Sequence, residues 1–187
     1  QVPHWMFAIR DTLAVNCARA LALITSNSDS LARARAEIAE HDLTKAKNVS
    51  KLSYIEGSLQ EAMRLWPTTP VLARESIRRD ALGGDEIPSG SQIVMFTQYL
   101  HRDVSRTPDA GRFNPDRWSG NRINPQFNHM SGGKQGCAGR NLALFLGTAA
   151  LANLVSRGYV LEAPGLDVTQ PIPATFNYFR LRFKLSS

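Results

Sequence analysis

One segment concentrates the reactive chemistry of this sequence: Met130-Ser131-Gly132-Gly133-Lys134-Gln135-Gly136-Cys137-Ala138-Gly139-Arg140. A single cysteine sits where a glycine-rich loop gives way to an apolar, helix-forming run. Glycines on both sides let the backbone approach something flat and bulky. A cysteine at the start of a helix has its thiolate favoured by free N–H groups and by the helix dipole. Such a thiolate serves as a nucleophile or as a metal ligand. The commoner fate of a cysteine is to be inert and buried. Cys17, in mid-helix among Ala and Leu, fits that fate. Cys137 does not, because its glycine neighbours pack poorly and need another purpose. A nucleophilic use would need a histidine base, and of His4, His41, His101 and His129 only the last lies near in sequence.

A second constellation is Glu61-Ala62-Met63-Arg64. Three residues apart on a helix, Glu61 and Arg64 share a face and can pair. Alone, such a pair is usually a surface salt bridge of little value. Its meaning comes from its downstream company, in chain order: Arg74, then His101-Arg102-Asp103, then Phe113-Asn114-Pro115-Asp116-Arg117-Trp118, then the cysteine loop.

Positioning these residues falls to a mainly helical chain with small sheets. Trp5 to Thr25 carries apolar residues at helical spacing, among them Phe7, Ala8, Val15, Ala18 and Leu21. Asp29 or Ser30 can cap a second helix from Leu31 to Glu40, and Asn48 to Leu52 reads as a connector. Ser53 to Leu65 is a third helix, stopped by Pro67 and Pro70. Val71 to Ser76 and Gln92 to Phe96 read as strands, with turn chemistry at Gly83-Gly84 and Pro88-Ser89-Gly90 between them. Asn121 to Gly136 shows no period and reads as a long loop, which in a compact domain usually serves function. Ala138 to Arg157 is a strongly apolar helix, and Tyr159 to Leu185 reads as strands around Pro171 and Pro173. With 187 residues, 43% hydrophobic and 20% charged, the composition is that of a globular domain and not of a disordered chain. Two cysteines exclude a disulfide-stapled scaffold. The longest nearly apolar run, Leu142 to Val155, is too short to span a bilayer. The net charge of +6 is scattered, with no block of basic residues, which disfavours nucleic acid as a partner. The first residue is Gln1 and a helical pattern is running by Trp5, so the chain reads as a piece of a longer one: residues 1–187 as one partial domain lacking its N-terminal part.

The order of these motifs resembles the cytochrome P-450 family of haem-thiolate monooxygenases, over essentially the whole chain and corresponding to the C-terminal part of that fold. Glu61 and Arg64 match the family's Glu-x-x-Arg pair, and Arg117 the arginine that completes its structural triad. Cys137 matches the proximal cysteine that ligates the iron of haem b (iron protoporphyrin IX), with Gly133, Gln135 and Gly139 at the family's fixed offsets around it. Arg74 looks like the strand arginine that meets a haem propionate. The first helix is similar to the family's distal helix, so that Asp11 and Thr12 stand where an acid–alcohol pair relays protons. Three positions depart from the pattern. Met130 replaces a Phe, Gln135 replaces a basic residue beside Lys134, and the β-branched Ile9 replaces a helical Gly. Thr68 to Ala73 and Pro173 to Phe176 resemble substrate-facing segments, mixed small and apolar. The resemblance implies oxidation of a small lipophilic molecule with O2, and thiolate ligation that favours O–O cleavage. It also implies a ferredoxin- or flavodoxin-type electron donor steered to Lys134 and Arg140, and a bacterial, cytoplasmic setting. Membrane association is left open. Three alternatives stand beside this reading. One is a catalytically silent haem-binding relic. Another is a peroxide-using peroxygenase, to which Arg10 points. The third is a cysteine hydrolase acting through Cys137.

Overall fold

The computed structural model describes residues 2–120 and 126–186, without the side chains of His4, Trp5, Phe7 and Ala8. The part of the expected loop at 121–125, and the expected packing of Phe7 and Ala8, lie outside the described residues. The first half is helical: α1 (Val2–Thr25), α2 (Ser28–Ala39), the short α3 (Ala46–Val49) and α4 (Ser53–Leu65). A first sheet pairs β1 (Val71–Glu75) with β4 (Gln92–Phe96), antiparallel, Arg74 opposite Ile93. Between them β2 (Asp80–Leu82) and β3 (Asp85–Ile87) form a small hairpin. Then come α5 (Thr97–His101), one 3-10 turn at Pro115–Trp118 and another at Gly133–Gln135, and the long α6 (Arg140–Ser156). The chain closes with β5 (Tyr159–Ala163) paired to β6 (Arg182–Leu185).

The core lies where α1, α4 and α6 pack, and α4 is its axis: every residue from Tyr54 to Leu65 is buried. A helix buried all round belongs at a core centre. Glycines permit the close contacts. A Cβ on Gly147 of α6 would strike Leu59 of α4 and come within 3.0 Å of Leu13 of α1. A Cβ on Gly57 would lie 2.5 Å from the carbonyl oxygen of Pro115, so α4 is pressed against the 115–118 turn.

The structure corrects several expectations from sequence. The N-cap of α2 is Asn27, whose side chain accepts from the Asp29 and Ser30 amides, so those two residues lie inside the helix. The 48–52 connector overlaps α3. The turn at Gly83-Gly84 is flanked by strands, because both glycines adopt the left-handed φ that a tight hairpin demands. In the last helix, regular structure starts at Arg140, two residues later than expected. Cys137 therefore stands ahead of its first turn, and its carbonyl accepts from the Arg140 amide at 3.2 Å.

Candidate active site

Glu61 and Arg64 are fully buried and joined by two hydrogen bonds: Nε to Oε1 at 2.6 Å and Nη2 to Oε2 at 2.8 Å. Glu61 also accepts from Arg117 Nε at 3.3 Å, Trp118 Nε1 at 3.0 Å and the Asn114 amide at 3.0 Å. Arg117 then grips Asp109 with both terminal nitrogens, at 2.9 and 2.7 Å. Two carboxylates and two guanidiniums thus form a charge-balanced network of largely bidentate pairs, in which each buried charge is compensated. Arg64 donates its remaining hydrogens to the carbonyls of His101, Ala110 and Arg112. The network ties α4 to the irregular chain that leads to the cysteine loop. Trp118, which stands in the Phe113–Trp118 segment without an assigned role, and Asp109, which was missed from sequence, both belong to it. Nothing local marks Asp109, eight residues from Arg117 in chain without a period.

A cavity of about 610 Å³ opens between α1 and the cysteine loop. Its α1 wall carries Ile9, Thr12, Leu13 and Asn16. Met63, Thr68 and Thr69 come from α4 and the chain after it. His129, Met130, Ser131 and Cys137 to Gly139 come from the loop, and Leu142 and Ala143 from α6. The Cys137 thiol is exposed, and its amide donates to the Met130 carbonyl at 2.8 Å, closing the loop on itself. Gly133 takes a φ of 59°, open to glycine without strain, and a Cβ at Gly132 or Gly133 would meet nothing within 4 Å. Ser131, at φ 56°, holds the same left-handed region at a cost. Lys134, Gln135 and Gly136 are exposed beside the cysteine and do not line the cavity.

The other singled-out residues divide. Thr12 lines the cavity, whereas Asp11 does not: it bonds Arg10 Nε at 2.8 Å, and the two side chains are 64% and 79% exposed. Arg74 is half-buried on β1, donates to the Ala73 carbonyl and does not line the cavity. Of the expected substrate-facing segments, Thr68 and Thr69 reach the cavity and Pro173 to Phe176 do not. That turn is pinned to the end of α4, with Trp66 Nε1 donating to Pro173, Phe176 stacked on Trp66 at 4.9 Å, and Arg102 donating to Ile172 and Pro173. Burial pushes the Arg102 pKa down to about 10. Cys17 is buried, its Sγ 3.9 Å from the Gly147 carbonyl, and burial pushes its thiol up to about 12. Asn16 was not singled out, although it stands one helical turn after Thr12. Its Nδ2 donates to the Thr12 carbonyl, and its Oδ1 is buried without a partner.

An exposed thiol in an apolar cavity, beneath a long helix and beside a buried Glu–Arg network, is the layout of a site for a flat, thiolate-ligated cofactor. The chain belongs to the cytochrome P-450 family, whose model matches residues 1–176. It is 36% identical over 126 residues to the protein Lutein Deficient 5, chloroplastic, of Arabidopsis thaliana, covering 64% of this chain and 21% of that protein. It is 30% identical over 158 residues to the probable cytochrome P-450 4s3 of Drosophila melanogaster, covering 83% of this chain and 31% of that one. With the cyclooctat-9-en-7-ol 5-monooxygenase of Streptomyces melanosporofaciens it is 28% identical over 172 residues, 88% of this chain and 38% of that enzyme. The chain thus spans well under half the length of these relatives. The family is one of haem-dependent monooxygenases, and the residues present fit that group. The soft thiol donor is accessible, the glycines beside it leave open space, and the walls are apolar. Among the described residues no helix is long and apolar enough to cross a membrane.

Proposed function

We propose that this chain is the C-terminal, haem-bearing part of a haem-thiolate monooxygenase that oxidises a small apolar molecule with O2 and electrons from a separate donor. The observation that carries the reading is the exposed Cys137 thiol in an apolar cavity, facing α1 across it. Cys137 holds the iron of haem b as thiolate, with Gly133 and Gly139 keeping side chains away from the macrocycle. When bound, the haem supplies oxygen activation, and electron donation from the thiolate favours O–O cleavage. The chain's own residues do the rest. Ile9 and Leu13 exclude water from the α1 wall. The Thr12 hydroxyl, on the same wall, holds and passes a proton at Oγ1. Asp11 serves as its supply from the solvent side, where it sits beside Arg10. Arg74 and Gln135 are assigned to the edge of the group by the family pattern alone, since neither lines the cavity and Arg74 donates to the Ala73 carbonyl. The Glu61–Arg64–Arg117 network fixes the approach of the cysteine loop.

Two relatives are named a beta-amyrin 24-hydroxylase and a cyclooctat-9-en-7-ol 5-monooxygenase. With the apolar cavity, these names support a lipophilic substrate here. The exposed Lys134, beside the cysteine, supports docking of an acidic ferredoxin or flavodoxin. The peroxide-using alternative rests on Arg10, which is occupied by Asp11 and does not line the cavity. A silent relic is the second reading, favoured by Ile9 in the cavity wall.

The test supplies the protein with haem, NADPH, ferredoxin, ferredoxin reductase, 18O2 and a panel of terpenoid probes. Product carrying one labelled oxygen, lost in C137S, is expected. In T12A more of the electrons should appear as hydrogen peroxide. Haem binding with no product from any probe would favour the relic, and product formed with hydrogen peroxide alone would favour a peroxygenase.

A further inference from the structure

Thr68 and Thr69 reach the cavity from a wall that belongs neither to α1 nor to the cysteine loop. They follow the buried end of α4, in Trp66-Pro67-Thr68-Thr69-Pro70. Both side chains are exposed, and neither hydroxyl has a partner among the described residues. The chain bends at Thr68, and both consecutive side chains line one space. Their mount is rigid. Before them Trp66 is buried, its Nε1 donating to the Pro173 carbonyl at 2.9 Å and its own carbonyl accepting from Arg19 Nη1 at 2.8 Å. After them the Pro70 carbonyl accepts from the Thr97 amide at 2.9 Å. Proline fixes its own φ and restricts the residue before it, here Thr69. A threonine side chain is itself stiff at χ1. The two hydroxyls are thus in place before a ligand arrives, and holding one costs little further order.

The surroundings say what such hydroxyls select. The same cavity is walled by Ile9, Leu13, Met63, Leu142 and Ala143. For a substrate that is hydrocarbon throughout, valine would give this wall the same shape without a hydroxyl. A ligand that fills the cavity strips water from the threonines, and a hydroxyl that loses water without gaining a partner is destabilising. The cost is removed when the ligand brings an oxygen of its own. Among the described residues lining the cavity there is no Lys, Arg, Asp or Glu. A charged substituent would therefore go uncompensated, and a neutral oxygen is the match.

We propose that Thr68 and Thr69 set the substrate class: their hydroxyls bind an alcohol oxygen, so the molecule oxidised is a lipophilic alcohol, an apolar skeleton already carrying a hydroxyl. The proposal rests on the haem-thiolate reading of the cavity. A threonine hydroxyl both donates and accepts. An alcohol answers both roles, whereas a carbonyl or an ether answers only the donor. Held by its oxygen at this wall, the skeleton packs on the apolar side chains of α1, α4 and α6.

The haem-loaded chain is titrated with matched pairs, borneol with bornane and cedrol with cedrane, following the ligand-induced shift of the Soret band without reductant. Wild type is compared with T68V, T69V, the double valine variant and the double serine variant, and far-UV circular dichroism checks that each is folded. The quantity read is the ratio of the two dissociation constants within a pair, compared between proteins, so that the alcohol's own hydration cancels. The double valine variant should bind the alcohols about tenfold more weakly and the hydrocarbons no more weakly than wild type. The double serine variant, which keeps both hydroxyls, should keep the wild-type ratio. Equal changes in both members of each pair would make the threonines packing residues and overturn the proposal. An unchanged ratio, or a wild type that responds to no alcohol, would overturn it too. A haem propionate is the other oxygen a hydroxyl can meet, and haem dimethyl ester, whose carboxylates are capped, tests for it. A preference for haem over the ester that is lost in the double valine variant would assign the hydroxyls to the cofactor and overturn the proposal. The underlying reading fails separately: an unshifted reduced carbon monoxide band in wild type would remove it, whereas failure of the threonine arm alone would leave it standing.

Discussion

Glu61 shows how much a single buried carboxylate can organise. It receives hydrogen bonds from Arg64, Arg117, Trp118 and the Asn114 amide. E61Q keeps the shape and removes the charge, leaving the fully buried Arg64 without its counter-ion. Breaking such a pair costs about 3–5 kcal/mol, so the urea midpoint of E61Q should fall sharply and soluble yield with it. A midpoint within error of wild type would show that the network stabilises nothing. The two cysteines give a second test at this scale. With the Cys17 thiol buried and pushed up to about 12, and Cys137 exposed, iodoacetamide should label Cys137 first and reach Cys17 only on unfolding. Peptide mass mapping checks the order. Glu61, Arg64, Arg117 and Cys137 were visible in sequence because each sits in a local pattern of fixed spacing. Asp109 and Asn16 were not, since what defines them is a partner brought by folding or a cavity they face. Asp11 shows the converse: its position in a motif was legible, but its exposure was not.

At the scale of elements, α4 depends on neighbours for both its ends and its fit. Its N-cap, Leu52, supplies no side-chain acceptor. The cap comes from α2, where the Glu37 carboxylate accepts from the Tyr54 amide at 2.7 Å, the Ile55 amide at 3.0 Å and the Ser53 hydroxyl at 3.0 Å. An anion at a helix N-terminus satisfies orphan donors and meets the positive end of the dipole. E37A should therefore cost about 1 kcal/mol, read from urea unfolding. Gly57→Ala separates propensity from packing. In an exposed helix the change would stabilise, but here the new Cβ meets a backbone carbonyl that cannot move aside. A loss of about 1–3 kcal/mol is expected, and a gain would mean that the 115–118 turn yields. The bounds of α4 were readable because Ser53 and Pro67 bracket a strong helical run. The cap from Glu37 was not, because it is a tertiary contact sixteen residues away. The short α3, α5 and the β2–β3 hairpin escaped for a related reason: in three to five residues there is too little periodicity to read.

The molecule as a whole carries a fully buried histidine beside its network, His101, which makes stability depend on pH. Burial holds the His101 imidazole below its ordinary value, and its two nitrogens are matched as a neutral ring. The unfolded chain takes up a proton at about pH 6.5 that the folded chain refuses. Stability is therefore lost as pH falls through that value. Melting temperature should decline from pH 7 to pH 5, and H101Q, though less stable, should decline less steeply. Parallel slopes would show that His101 is not the group responsible. The whole also sets what sequence could say of function. A cavity of mixed helix, loop and post-helix origin is not written in any one segment, whereas the order of its motifs along the chain was enough to read the family and the mainly helical fold.

Ligation of haem iron by the Cys137 thiolate is the claim on which the functional reading stands. It is tested most directly by the reduced carbon monoxide difference spectrum of the haem-loaded, folded chain, recorded for wild type and C137S. Thiolate ligation predicts a strongly red-shifted Soret band in wild type that is lost in C137S. An unshifted, histidine-like band in wild type, or a red-shifted band that survives in C137S, would contradict it.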